Sequence, residues 1–300
     1  MKPNLLVILG PTASGKTRLG VGAALALNGE IISADSRQVY RGMDIGTGKD
    51  LAEYEDIPHH LIDIVDPGYE FNVFEFQRRF FEVFTDIGGR NRLPVLVGGT
   101  GLYLDAVLKG YRMVEVPENP ELRRQLVGLD LEQLAERLAA LRPRQHNTTD
   151  ALERERLLRA IEIAEGETAA SARMPPLPEL RPLVFGVQWD RAVLRQRITA
   201  RLKERLGQGM IEEVEHLRHA GVPYRTLEFY GLEYRFLAQF LQGEINRNDL
   251  FQKLNSAIHQ FAKRQETWFR RMERQGTAIH WLDGAGDPLR QLLDAWRQHS

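Results

Sequence analysis

Cysteine is absent from the 300 residues. Its absence excludes disulfides and thiolate metal sites and fits a reducing compartment. Long hydrophobic runs are also missing. None approaches the length of a membrane span, and the apolar run behind Met1-Lys2-Pro3-Asn4 is too short for a signal peptide. A cytoplasmic protein that does not engage a membrane is expected. Charge of one sign is lacking too. The net charge is −1, so no global basic field draws in nucleic acid, and such a partner would have to be held by local basic patches. There is no internal repeat or low-complexity tract. Enough remains to build a large core: a 43% hydrophobic content over this length suits one large α/β domain with an insertion, or two domains.

The chain is organised around Gly10-Pro11-Thr12-Ala13-Ser14-Gly15-Lys16-Thr17. It matches G-x-x-x-x-G-K-[ST] in the setting that gives the motif meaning. Before it, Leu5-Leu6-Val7-Ile8-Leu9 reads as a buried parallel strand; after it, 18–27 reads as a helix. Glycines let backbone N–H groups close around an anion, and the helix presents its positive end to the same anion. Lys16 is a cation for phosphate oxygens and Thr17 a hydroxyl for Mg²⁺. The motif is that of nucleotide- or ATP-binding proteins, but it establishes only a di- or triphosphate site.

Further strands are predicted at 30–34, leading to Asp35-Ser36-Arg37-Gln38, and at 94–97, leading to Gly98-Gly99-Thr100. In a doubly wound sheet ligands bind beyond the carboxyl ends of the strands, so Asp35 and Thr100 should share the cleft of the phosphate loop. An acid there can orient Mg²⁺ or accept a proton from an attacking group. The alternatives are a helix cap for Asp35 and a plain turn residue for Thr100. His59 and His60, near Asp63, would point to opposite sides of a strand and are better read as structural than as metal ligands. The aromatic residues of a helix over 71–87 read as core. The texture then turns charge-rich and helical, with helices at 121–126, 131–141 and 152–165, and closes on Met174-Pro175-Pro176-Leu177-Pro178, a stiff linker. A strand returns at 183–189, an amphipathic helical stretch runs over 191–220, helices follow at 232–242 and 247–274, and a last strand at 278–282. The expected architecture is α/β: a P-loop NTPase-like parallel sheet flanked by helices, with the core in two parts, 1–112 and 179–300, around a helical insertion at 113–178. Arg197 and Arg201 fall on one helix face. Lys263-Arg264 beside Trp268 suits nucleic acid, although a solvated face is the ordinary use of such a run.

Taken together, these pieces resemble the tRNA dimethylallyltransferases, also called tRNA isopentenyltransferases. The matching stretches are GPTASGKT at 10–17, DSRQ at 35–38, YRGMDIGTGK at 40–49, PHHLID at 58–63, PVLVGGTGLY at 94–103 and FAKRQETW at 261–268. RLLRAIE at 156–162, RITAR at 197–201 and GMIEEV at 209–214 match less closely. The resemblance covers nearly the whole chain. It implies transfer of a dimethylallyl group from dimethylallyl diphosphate to the exocyclic N6 amine of the adenine just 3′ of the anticodon in tRNA, by a Mg²⁺-dependent, monomeric enzyme. The phosphate loop would hold the diphosphate with Arg201, and Asp35 would be the general base with Thr100 beside it. Ser36, Arg37 and Gln38 would contact target nucleotides. Arg123 and Glu155-Arg156-Leu157-Leu158-Arg159 would meet tRNA from the insertion, and Lys263 and Arg264 would meet its phosphates.

Three stretches depart from the family's pattern: Arg144–Asp150 against R-[IV]-H-P-x-D, Gly46–Asp50 against GTAKP, and Phe229–Glu233 against IGYKE. All three are expected on parts that face nucleic acid. The rival readings are transfer to a free adenine nucleotide, a small-molecule kinase using Asp35 on a hydroxyl, and an RNA-binding paralogue without turnover.

Overall fold

The computed structural model describes residues 2–111, 116, 118–141, 154–170 and 176–299. The chain forms two compact units, one made of Met1–Gly110 with Pro178–Ser300 and the other of Tyr111–Leu177.

The larger unit is built on six strands: β1 Leu5–Leu9, β2 Gly29–Ala34, β3 His59–His60, β4 Leu93–Gly98, β5 Pro182–Gln188 and β6 Ile279–Asp283. They lie in the order β3-β2-β4-β1-β5-β6, and every pair is parallel. β1 lies between β4 and β5 and all five of its residues are fully buried, as its uninterrupted apolar run requires of a strand covered on both faces. Among the described residues its helices are α1 Lys16–Leu27, α2 Val73–Gly89, α3 Gly101–Leu108, α7 Arg191–Gly207, α8 Met210–His219, α9 Tyr224–Phe229, α10 Leu232–Leu241, α11 Arg247–Arg274 and α12 Pro288–His299.

α1 and α12 pack with the sheet through Leu19, Ala23, Leu292 and Trp296 against Val95, Val97, Phe185 and Leu282. α2 and α3 meet through stacked Phe76 and Tyr103 rings, 4.1 Å between centroids, so the aromatic residues of α2 are core. α7 to α11 enclose a second cluster, in which Ile198, Leu202, Met210, Tyr234 and Ile258 surround Val39, Tyr40 and Met43 and reach Ala13 of the phosphate loop. The stretch expected to be helical over 191–220 is broken in two at Gly209, whose φ of 99° is left-handed. No helix continues through that conformation.

The smaller unit contains α4 Pro120–Leu126, α5 Leu131–Leu141 and α6 Arg154–Ala170. Leu122, Leu126, Leu134, Leu157, Leu158 and Ile161 form its core. Asn119 caps α4, its side-chain oxygen accepting the N–H groups of Glu121 and Leu122 at 3.2 and 3.1 Å. The departing stretch Arg144–Asp150 and the start of the proline linker lie outside the described residues. Among the described residues no helix is long and apolar enough to cross a membrane.

Candidate active site

The phosphate loop leaves β1 at the carboxyl edge of the sheet. Gly15 ends it at φ 86° and opens α1, a conformation that favours glycine. The loop is held from outside by three side chains that come late in the sequence. Arg197 Nε donates to the Ala13 carbonyl at 2.9 Å, with its guanidinium 4.1 Å over the Trp189 ring. Trp189 Nε1 donates to the Ser14 carbonyl at 2.9 Å. Gln265, buried on α11, accepts the Thr12 N–H at 2.8 Å and donates to the Gly99 carbonyl at 2.9 Å. One amide thus ties the phosphate loop to the turn after β4. Thr17 lies half-buried in the first turn of α1.

The ends of β2 and β4 are in register, Ala34 beside Gly98, so Asp35 and Thr100 emerge on neighbouring strands. Asp35 Oδ1 accepts the Arg37 N–H at 2.9 Å in a turn that leads into no helix, which removes the helix-cap alternative. Thr100 does not cap α3 with its side chain. Its hydroxyl accepts the Ser36 N–H at 3.2 Å instead. Gln38 is buried, accepting from Ser33 Oγ at 2.9 Å and donating to the Gly48 carbonyl at 3.1 Å, so it braces this loop from beneath. The Arg37 guanidinium lies 5.6 Å from the ring centroid of the exposed Phe229.

A crevice beside the phosphate loop is lined by Thr12, Ala13, Ile198, Arg201, Arg205 and Glu233. Its charges act on one another. Burial lowers the Lys16 ammonium to about 8; Asp35 pulls it back up while Arg201 and Arg205 push it further down. Burial, then Arg201, lowers Arg205; burial also lowers Arg197 and raises the Glu233 carboxyl. Arg201 and Arg205 share the carboxylate of Asp50. Gly48, at φ 67°, lies so close beneath Arg205 that a Cβ there would collide with its guanidinium.

Several expected residues are placed otherwise. Leu157 and Leu158 are core residues of the insertion, so within the segment expected to meet tRNA their side chains face inward: apolar side chains on successive turns of α6 close a small helical unit. Arg123 forms ion pairs with Glu118, Glu155 and the buried Glu162. Arg159 donates to the Val116 carbonyl at 2.7 Å and to Glu162. Glu155 and Arg156 are exposed. Lys49, in a stretch expected to face nucleic acid, is fully buried, donating to the Tyr40 carbonyl at 2.7 Å, to Asp44 at 2.6 Å and to Asp63. His60 Nε2 lies 2.8 Å from buried Glu30, and among the described residues no group of three or more histidines and carboxylates could hold a metal. Lys263 and Arg264 are exposed on α11. Trp268 donates to Asp105 at 2.8 Å, so its indole N–H is already used.

The sequence carries no local signal for the roles of Gln265 and Asp50, and Arg205 reads only as one of the basic residues of the 191–220 helix. Gln265 lies inside FAKRQETW and was legible only as part of that motif. The pairing of Asp50 with an arginine 151 positions away has no local signal.

The fold and the site define a P-loop α/β protein that sets a phosphate loop against a strand-end carboxylate. Residues 38–272 match the IPP transferase family. The chain is 73% identical over 293 residues to tRNA dimethylallyltransferase 2 of Syntrophotalea carbinolica, covering 98% of each. It is 70% identical over 298 residues to tRNA dimethylallyltransferase 1 of Geotalea uraniireducens, covering 99% of this chain and 98% of that one. Among solved structures it is similar to the full-length tRNA isopentenylpyrophosphate transferase of Bacillus halodurans, with a TM-score of 0.71, 33% identity and coverage of 99% and 95%. This chain belongs to the IPP transferase family.

Proposed function

We propose that this protein transfers the dimethylallyl group of dimethylallyl diphosphate to the exocyclic N6 amine of the adenine just 3′ of the anticodon in tRNA, releasing pyrophosphate. The observation that carries the reading is the register of three strand ends, Leu9, Gly98 and Ala34 side by side, which brings the phosphate loop, Thr100 and Asp35 to one edge of the sheet beside a crevice lined by Arg201 and Arg205. In this reading the leaving diphosphate and the base for the attacking amine share that edge. The names of the full-length relatives support the same reaction.

In this reading the phosphate loop, Lys16 and Arg201 hold the diphosphate, and Arg205 adds charge beside it. The bond from the allylic carbon to the diphosphate oxygen breaks as the nitrogen–carbon bond forms. Cations around the leaving group stabilise the charge that collects on it. Asp35 accepts the proton that the amine loses, and Thr100, through Ser36, keeps the Asp35 loop in place. Oxygen donors suited to Mg²⁺ are present: the Thr17 hydroxyl, half-buried in the first turn of α1, and the Asp35 carboxylate. So sparse a set fits an ion that takes most of its ligands from phosphate and water, and the ion would supply further charge to the leaving group. Ser36 and Arg37 at the cleft, Lys263 and Arg264 on α11, and Arg123, Glu155, Arg156 and Arg159 of the insertion are the tRNA contacts of this reading, for a monomer acting in the cytoplasm.

Incubating the protein with unmodified tRNA and labelled dimethylallyl diphosphate, then analysing nucleosides, tests the proposal. Label in N6-dimethylallyladenosine supports it. Label only in free adenine nucleotide, or steady ATP turnover with no label in tRNA, overturns it.

A further inference from the structure

Arg201 and Arg205 lie four residues apart on α7 and line the crevice beside the phosphate loop. One carboxylate occupies both: Arg201 donates to Asp50 Oδ2, and Arg205 lies 3.4 Å from each Asp50 oxygen. Asp50 is set there by its neighbours. Lys49 before it is locked in a buried cage of acceptors, and the 3-10 turn Leu51–Tyr54 after it starts with the Glu53 N–H bonded to the Asp50 carbonyl at 2.8 Å. Its own φ of 47° is left-handed, a conformation in which Asp and Asn are the best tolerated residues after glycine. The arginine side chains are mostly covered, Arg205 being 11% exposed.

Arg201 and Arg205 share the Asp50 carboxylate, and burial pushes the neighbouring Glu233 carboxyl towards its neutral form, so the crevice keeps an excess of positive charge, to which Lys16 adds. A diphosphate brings several negative charges and more acceptor oxygens than Asp50 offers. The two anions cannot hold the same donors without facing each other at contact distance.

We propose that Asp50 is a positioning residue that competes with the donor: it keeps Arg201 and Arg205 aimed into the crevice and yields them to the diphosphate when dimethylallyl diphosphate binds. The inference rests on the proposed function, since it takes Arg201 to be a diphosphate ligand. Its consequence has a distinctive sign. A residue that only shapes the site weakens anion binding when it is lost, whereas removing an internal competitor strengthens it, because the binding-competent state is no longer a minor fraction.

The test uses the full chain without tRNA and inorganic pyrophosphate as the probe. Asp50→Asn keeps the left-handed backbone and removes the charge. Calorimetric titration should show pyrophosphate bound about tenfold more tightly by Asp50→Asn than by wild type in EDTA, with the same direction in Mg²⁺. Independently of any variant, hydrogen exchange on the wild type should slow over residues 10–17 when pyrophosphate binds and quicken over 50–55 as Asp50 is released. Equal or weaker binding by Asp50→Asn, or slower exchange over 50–55, overturns the inference. The second result, with weaker binding only in Mg²⁺, would make Asp50 a metal ligand instead. Wild-type protein that binds no pyrophosphate overturns the proposed function along with it.

Discussion

The sharpest quantitative consequence concerns the proton on Lys16. Its ammonium is lowered from an ordinary 10.5 to about 8, chiefly by burial. In the empty protein about a tenth of the lysines are then neutral at pH 7 and roughly half at pH 8. A diphosphate against Nζ restores the charged form, so binding should draw in about half a proton per site at pH 8 and about a tenth at pH 7. Affinity should be level up to about pH 7 and fall by up to about tenfold per pH unit above about pH 8. Recovering the ordinary value alone corresponds to roughly 3 kcal/mol, about two and a half powers of ten in affinity. The folded state has the lower value, so between about 8 and 10.5 it binds fewer protons than the unfolded chain. This group therefore makes the empty protein more stable as pH rises through that window, the reverse of its effect on binding. Pyrophosphate titrations in two buffers of different ionisation heat measure the proton count directly. Lys16→Met serves as reference, because the ligand's own titration is common to both proteins. Equal proton uptake by wild type and Lys16→Met from pH 7 to 9 would refute the reasoning.

Three further outcomes are expected. Asp35→Asn should bind both substrates nearly normally while single-turnover prenyl transfer slows by about a hundredfold or more; a near-normal rate would move the base elsewhere in the cleft. Gln265→Leu strands the Thr12 N–H and the Gly99 carbonyl, so urea titration should show a loss of about 1–3 kcal/mol and steady-state kinetics a raised KM for the donor; wild-type values for both would show that the amide bridge is dispensable. Changing Lys263 and Arg264 together to Ala should weaken tRNA binding and make its dependence on log salt shallower by about one to two, with pyrophosphate binding unchanged; an unaltered slope would return that face to plain solvent.

What could be read in advance follows from how local its cause is. β1, the phosphate loop and the turns after β2 and β4 announce themselves because a buried parallel strand must be apolar throughout and must end where the chain turns polar. The strand-end positions of Asp35 and Thr100 were legible for that reason. Lys49 was not: a lysine reads as solvent-facing until Asp44, Asp63 and a carbonyl are brought around it by a loop closing on itself. Asp50 and Arg205 were missed because their partners lie about half the chain away, and an ion pair leaves no periodicity. The burial of Leu157 and Leu158 was not legible in the motif, because part of a helical motif in a small unit faces inward.

Of the six described strands β1 is made earliest, yet its flanking strands come from residues 93–98 and 182–188. Until the second of these has emerged, the strand that carries the phosphate loop is a bare apolar edge, and such an edge invites pairing with another chain. The insertion lies between β4 and β5 in the sequence and so sets how long that edge stays open during synthesis. The loop's own braces, Trp189, Arg197 and Gln265, arrive later still. A fragment ending at residue 110 is therefore expected to aggregate and to bind no pyrophosphate, as light scattering and calorimetry would show; a soluble fragment that bound the anion would mean that the loop organises itself. The order of synthesis thus acts as a safeguard, keeping the proposed diphosphate site unformed until Gln265 has been made.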